Sequence, residues 1–182
     1  MFQFTQSVMF VPEDGSSPTP AAPSAPSNAD IAAVLFNIAT ILEMQQGNPY
    51  RITAYKNAAR VLMVLQIPVA EIIRRGQALE WPGLGKRLQR KITELVTTGR
   101  MTFYDDLCEA SLPEDVRSLM AVPHIGPKTA LRLTNSLDIH SVAALYEAAQ
   151  AHKLSKHHGF GTRSERRLEE SARAVLRSGH AA

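Results

Sequence analysis

Apolar residues recur at steps of three and four along most of this 182-residue chain, the repeat expected of helices with one buried face. Ile31, Val34, Leu35, Ile38, Ile41 and Leu42 mark the first stripe. Ser27-Asn28-Ala29-Asp30 opens it with a cap and a first-turn acid, and Gly47 stops it. Asn48-Pro49 then supplies a cap and a first-turn proline for a second helix, striped by Ile52, Tyr55, Ala59, Leu62 and Met63. A short helix is expected from about Pro68 to Gly76, and another from Lys86 to Thr98, stopped at Gly99. The second half continues in the same style, with helices expected over 103–110, 113–121, 127–137, 141–149 and 162–177. Val/Ile/Thr alternation is scarce and aromatics make up only 6% of the chain, which argues against a sheet. The expected fold is all-α: a compact helical bundle over 28–99, then a second helical subdomain over 100–178.

Several function classes drop out at this point. Residues 12–27 are rich in Pro, Ser and Ala and cannot bury enough apolar surface to offset their ordering entropy. Residues 1–27 are therefore expected to form a disordered tail, available to a partner protein. The longest apolar stretch, Val61 to Ala70, is broken by Gln66 and Pro68, well short of the roughly 20 residues of a membrane span. The apolar N-terminal residues have no positive leader, so no signal peptide is expected. Cys108 stands alone, which excludes a disulfide within the chain and a multi-thiolate zinc site; it reads as a small buried hydrophobe in a cytoplasmic protein.

Charge narrows the choice further. The formal net charge is only +3, but its distribution is uneven. Residues 48–100 carry ten bases against three acids, a net +7, whereas residues 1–47 carry four acids and no base. A concentrated basic block points to a polyanionic partner.

Three turns within and after that block share one design. They are Trp81-Pro82-Gly83-Leu84-Gly85-Lys86, Val122-Pro123-His124-Ile125-Gly126-Pro127 and His157-His158-Gly159-Phe160-Gly161-Thr162. Each places an apolar residue between turn-formers, then a glycine, then the start of a helix with bases nearby. Glycine permits positive φ and the close approach of another backbone. The free N–H groups and partial positive charge at a helix start suit a phosphate. Leu84, Ile125 and Phe160 are expected to plug the core beneath their turns. The basic side chains that accompany them are Lys86, Arg87 and Arg90 after the first turn, Lys128 and Arg132 after the second, and Arg163 and Arg167 after the third, with Arg51 and Lys56 on the second helix. Trp81 reads as a buttress of the first turn, with base stacking as the other option.

This is the pattern of the helix-hairpin-helix DNA-binding motif. The second copy departs from it at His124, where glycine is usual, and the third lacks the proline. The resemblance implies phosphate contact without base readout, often with a bound monovalent cation. K+ or Na+ is expected at the backbone of Gly83 and Gly85 and of His124 and Gly126, with no other cofactor required. The expected partner is gapped, nicked or branched DNA, gripped by a monomer associated with the nucleoid.

A wider resemblance covers nearly everything after the tail. Asn28-Ala-Asp-Ile-Ala-Ala-Val-Leu, Asn48-Pro-Tyr-Arg-Ile-Thr-Ala-Tyr-Lys-Asn-Ala-Ala-Arg-Val, the first hairpin and Lys91-Ile-Thr-Glu-Leu-Val-Thr-Thr-Gly99 are similar to the small lyase domain of family X DNA polymerases. Residues 101–177 resemble the DNA-gripping domain that follows it there. That family's polymerase chemistry sits in a downstream palm domain with metal-binding aspartates, which has no counterpart here. Asp105 and Asp106 point about 100° apart on a helix and make a poor two-metal clamp. Polymerase activity is therefore not expected from these residues. The resemblance does imply removal of 5′-deoxyribose phosphate through a lysine Schiff base. Lys91 matches the nucleophile, Arg87 a basic neighbour where lysine is familiar, and Tyr55 a pocket tyrosine. Arg51 falls on a phosphate-binding lysine, and Tyr50 where the best-known member carries histidine.

From the residues themselves, Arg87 and Lys91 are four apart and share a helical face. A cation beside Lys91 disfavours its ammonium form, and Glu94 opposes that effect. Three readings stay open: DNA binding in which Lys91 only contacts phosphate, lyase chemistry at Lys91, and a non-catalytic protein–protein adaptor. His157-His158 offers too few ligands for a metal.

Overall fold

The computed structural model describes residues 25–81 and 83–179. Its helices are α1 (Asn28–Met44), α2 (Pro49–Val64), α3 (Val69–Arg74), α4 (Lys86–Thr98), α5 (Thr102–Ser111), α6 (Glu114–Met120), α7 (Pro127–Leu137), α8 (Val142–Gln150) and α9 (Thr162–Gly179). No strand occurs among the described residues, so the fold is all-α. Most of the disordered-tail expectation falls on residues 1–24, outside the described residues; only 25–27 of that segment are described.

Capping chemistry sets several boundaries. Ser27 and Asp30 form a reciprocal capping box at the start of α1. Asn48 caps α2 through its Oδ1, accepting from the Tyr50 and Arg51 amides, with Pro49 in the first turn. Gly99 closes α4 in the left-handed region at φ 73°. Asn28 joins distant parts of the first unit. Its amide donates to the Leu65 and Ile67 carbonyls, and its Oδ1 accepts from the Val69 N–H at 2.8 Å. One turn escaped the periodicity altogether, the 3-10 turn Leu154–Lys156. Its buried Leu154 is a single apolar residue, too little to register as a repeat.

Two apolar cores result. The first gathers Ile31, Leu35 and Ile38 of α1, Tyr55, Ala59 and Leu62 of α2, and Leu88, Ile92 and Leu95 of α4. The second gathers residues of α5 to α9, including Val116, Leu119, Leu133, Leu145 and Leu168. Met63 does not join the first core; it is 60% exposed beside Val64, because the buried face of α2 rotates past it near the helix end. Cys108 is buried as a hydrophobe would be, in the second core.

The cores are not independent. Ile41, near the C-terminal end of α1, is fully buried in the second core, and Tyr104 and Leu107 of α5 pack against both. Between them, Asn37 of α1 donates to the Tyr104 hydroxyl at 3.0 Å. The Asn37 Oδ1 lies 2.8 Å from where a Cβ on Gly126 would stand. Gly126 therefore lets the second turn approach α1. A Gly126→Ala substitution should destabilise the chain by about 1–3 kcal/mol through overpacking. Urea unfolding should show the Asn37→Ala, Gly126→Ala double variant losing less than the sum of the two singles.

Candidate nucleic-acid interface

The three turns adopt the same local geometry. Each is closed by the N–H of its apolar residue donating to the carbonyl three residues earlier: Leu84 to Trp81, Ile125 to Val122 and Phe160 to His157, all at 3.1 Å. The residue before each apolar plug has positive φ: 86° at Gly83, 72° at His124 and 88° at Gly159. Positive φ at the third turn position is the type II signature. The plugs Leu84, Ile125 and Phe160 are 7%, 3% and 4% exposed. Gly85 and Gly126 are the N-cap residues of α4 and α7, and neither helix has a side-chain cap. Gly161 occupies the same place before α9, its carbonyl accepting from the Glu165 N–H. His124 thus adopts the backbone that glycine provides in the other two turns. Histidine is among the residues enriched in that region. Pro82 lies outside the described residues.

The first turn opens onto a cleft of about 420 Å3 lined by Arg51, Ala54, Tyr55, Gly83, Gly85, Arg87, Leu88 and Lys91. Five of the residues singled out by the sequence around Lys91 and the first glycines, from three separate segments, therefore face one space with it. Lys91 Nζ donates to the Tyr55 hydroxyl at 2.9 Å. It also lies 2.9 Å from the centre of the Phe103 ring. The Tyr55 and Phe103 rings are parallel, with centroids 6.2 Å apart, and the Arg51 guanidinium sits 5.6 Å from the Phe103 centre. Burial pushes the Lys91 ammonium down to about 8, helped by Arg51 and then Arg87 and opposed by Glu94. Desolvation is thus the main cause, ahead of the cationic neighbour that the spacing suggested. Glu94 is occupied elsewhere: its Oε1 accepts from the Thr102 N–H at 2.8 Å and hydroxyl at 2.6 Å, which holds its carboxyl below the ordinary range. Burial holds the Tyr55 phenol above its ordinary value, so it stays protonated near neutral pH.

Phe103 was not singled out beforehand. Its place at the start of a helix beyond Gly99 gives no periodic link to Lys91. After Gly99 the start of α5 comes back to α4 through Thr102 and Phe103, while α5 itself packs against α1 and α6.

Other candidates are placed differently. Lys86, Arg87, Arg90, Lys128, Arg163 and Arg167 are exposed. Arg163 and Arg167, with Arg166, line an open hollow on α9. Lys56 is half-buried and paired with Glu43, so its charge is balanced within the protein. Arg132 lies four residues beyond Lys128 on α7, but its side chain is engaged within the protein. Its guanidinium lies 4.3 Å over the Phe160 ring and occupies the space a Cβ on Gly159 would need, tying α7 to the third turn. Trp81 packs partly buried against the first core, as a buttress does.

With this geometry in view, comparison with known families is direct. Residues 26–101 match a family described as a helix-hairpin-helix domain, and residues 116–174 match a SAM-like helix-hairpin-helix tandem. The chain therefore carries helix-hairpin-helix domains similar to the N-terminal ones of X-family DNA polymerases, a similarity that supports DNA binding. It is 27% identical over 139 residues to the DNA polymerase/3′-5′ exonuclease PolX of Bacillus subtilis (strain 168). That match covers 76% of this chain and 24% of the relative, so the chain spans about a quarter of the relative's length. No helix among the described residues is long and apolar enough to cross a membrane.

The Lys91 environment has a consequence for stability. A lysine whose folded pKa is lowered costs stability wherever both states are protonated, which here means below about pH 8. The cost fades as pH rises towards the ordinary value of 10.5, because the unfolded chain then binds the extra proton. A Lys91→Met variant should therefore show its largest stability advantage over wild type below pH 8. Denaturant titrations from pH 7 to 10 should show that advantage shrinking steadily; a gap independent of pH contradicts the assignment.

Proposed function

We propose that this protein binds DNA without sequence preference, gripping the phosphate backbone of gapped, nicked or branched DNA in the course of repair. The observation that carries this reading is the threefold repetition of one turn: positive φ, a buried plug, then a glycine at the helix start. Such a turn aims backbone N–H groups outward, and phosphate is the ligand they suit. The exposed bases Lys86, Arg87 and Arg90 around the first turn supply the charge. A K+ or Na+ ion at the backbone of Gly83 and Gly85, and of His124 and Gly126, belongs to the same reading. Carbonyl oxygens are the ligand class for such hard cations. The described residues hold no cluster of His, Cys, Asp and Glu suited to a metal.

Electrophoretic titration of gapped, nicked and intact duplex checks the proposal. If six or more phosphates are engaged, affinity should fall by about three orders of magnitude or more between about 50 and 200 mM salt. Little binding to any of the three at the lower salt overturns it and leaves the adaptor reading.

A second reading is favoured by one specific observation, the half-buried amine of Lys91 in the cleft beside the first hairpin. In that reading the protein is a 5′-deoxyribose-phosphate lyase. The Lys91 amine adds to the sugar aldehyde, and loss of water gives a protonated Schiff base. Removal of a C2′ proton then drives cleavage of the C3′–O bond, and the 3′ phosphate leaves with the electron pair; hydrolysis frees the lysine. In this reading Arg51 and Arg87, which line the same cleft, hold the 5′ phosphate. Borohydride should trap the wild-type protein covalently on 5′-incised abasic DNA, and Lys91→Ala should lose the adduct. Equal trapping by Lys91→Ala sinks the assignment.

A further inference from the structure

The wall over Lys91 comes from outside both matched domains. Phe103 is the second residue of α5, in the interval between the domain ending at 101 and the one beginning at 116. Several contacts fix α5 there. Glu94 receives the Thr102 N–H and hydroxyl, Arg100 pairs with Asp105 at 2.9 Å, and Met101 is buried in the first core. Glu94 follows Lys91 by three residues on α4, so one helix carries both the amine and the anchor of the ring that covers it.

We propose that Phe103 is a positioning residue of the Lys91 site: its ring closes the amine to water on the α5 side and leaves it open only towards the cleft beneath the first hairpin. The aldehyde chemistry that would use this amine rests on the lyase reading above; the positioning itself is read separately. The other groups facing the amine are Arg51 and the Tyr55 hydroxyl from α2, and Arg87 and Glu94 from α4. An aromatic ring acts on an amine in two opposite ways. Excluding water disfavours the ammonium, whereas the negative face of the ring attracts it. Burial is the largest cause of the lowered Lys91 value, and with the ring centre 2.9 Å from Nζ the test turns on exclusion of water outweighing the attraction. Phe103→Ala removes both effects, and Phe103→Leu removes only the attraction.

The test is reductive methylation of the full chain with formaldehyde and cyanoborohydride across pH 6 to 11, with Lys91 modification read by peptide mass spectrometry. The wild-type midpoint should lie near 8. In Phe103→Ala it should rise by about one pH unit, with labelling at pH 7 down about tenfold. In Phe103→Leu it should stay at or below the wild-type value. Circular dichroism checks that each variant folds, and Phe103→Val replaces the alanine variant if that one does not. An unchanged midpoint in the smaller variant, or an equal rise in Phe103→Leu, overturns the proposal. A purely structural contribution lowers the amount of folded protein without moving either midpoint. Borohydride trapping on incised abasic DNA runs alongside. Its failure in the wild type refutes the lyase reading, while the two midpoints still decide the role of Phe103.

Discussion

The arrangement depends on one helix serving two cores. α1 buries Ile31, Leu35 and Ile38 in the first core and Ile41 in the second. A helix is a stiff rod that rises about 1.5 Å per residue, so these two burials cannot be adjusted separately. Where α1 crosses from one core to the other, Asn37 meets both the Tyr104 hydroxyl and the backbone of the second hairpin at Gly126. The helix-hairpin-helix domains therefore meet across packed side chains as well as through the connecting chain.

Within that frame, three hairpins solve the same problem with different residues. Each must turn sharply, bury a plug and start a helix without a side-chain cap competing for its first N–H groups. Glycine, histidine and glycine supply the positive φ; leucine, isoleucine and phenylalanine supply the plug. The surroundings then set them apart. The first faces the open cleft containing Lys91, the second is pressed against α1, and the third lies beneath the Arg132 guanidinium. One motif thus serves as a candidate ligand site at the first position and, in addition, as a packing joint at the other two.

Much of this was legible in the sequence because it is local. Helix stripes, the caps at Ser27 and Asn48, the stop at Gly99 and the plugs all depend on neighbours within a few residues. The shared face of Arg87 and Lys91 was legible for the same reason. Phe103 was not, because its meeting with Lys91 depends on the reversal after Gly99 and on Glu94 capping Thr102. The dominant cause of the Lys91 shift escaped as well, since burial leaves no trace in spacing. The engagement of Lys56 by Glu43 and of Arg132 by Phe160 likewise needed tertiary structure, because each partner sits more than a helical turn away in sequence.

The shared helix also bears on avidity. Two binding modules joined by a loose tether search for their second contact over a volume set by the tether. Here Ile41 and the Asn37–Gly126 contact replace tether with packing. Once one hairpin has engaged a polyanion, the effective concentration of the next is set by a fixed separation and direction. On the proposed reading such a coupling works as a caliper: it rewards a backbone whose phosphates match that separation and penalises one that must bend to reach it.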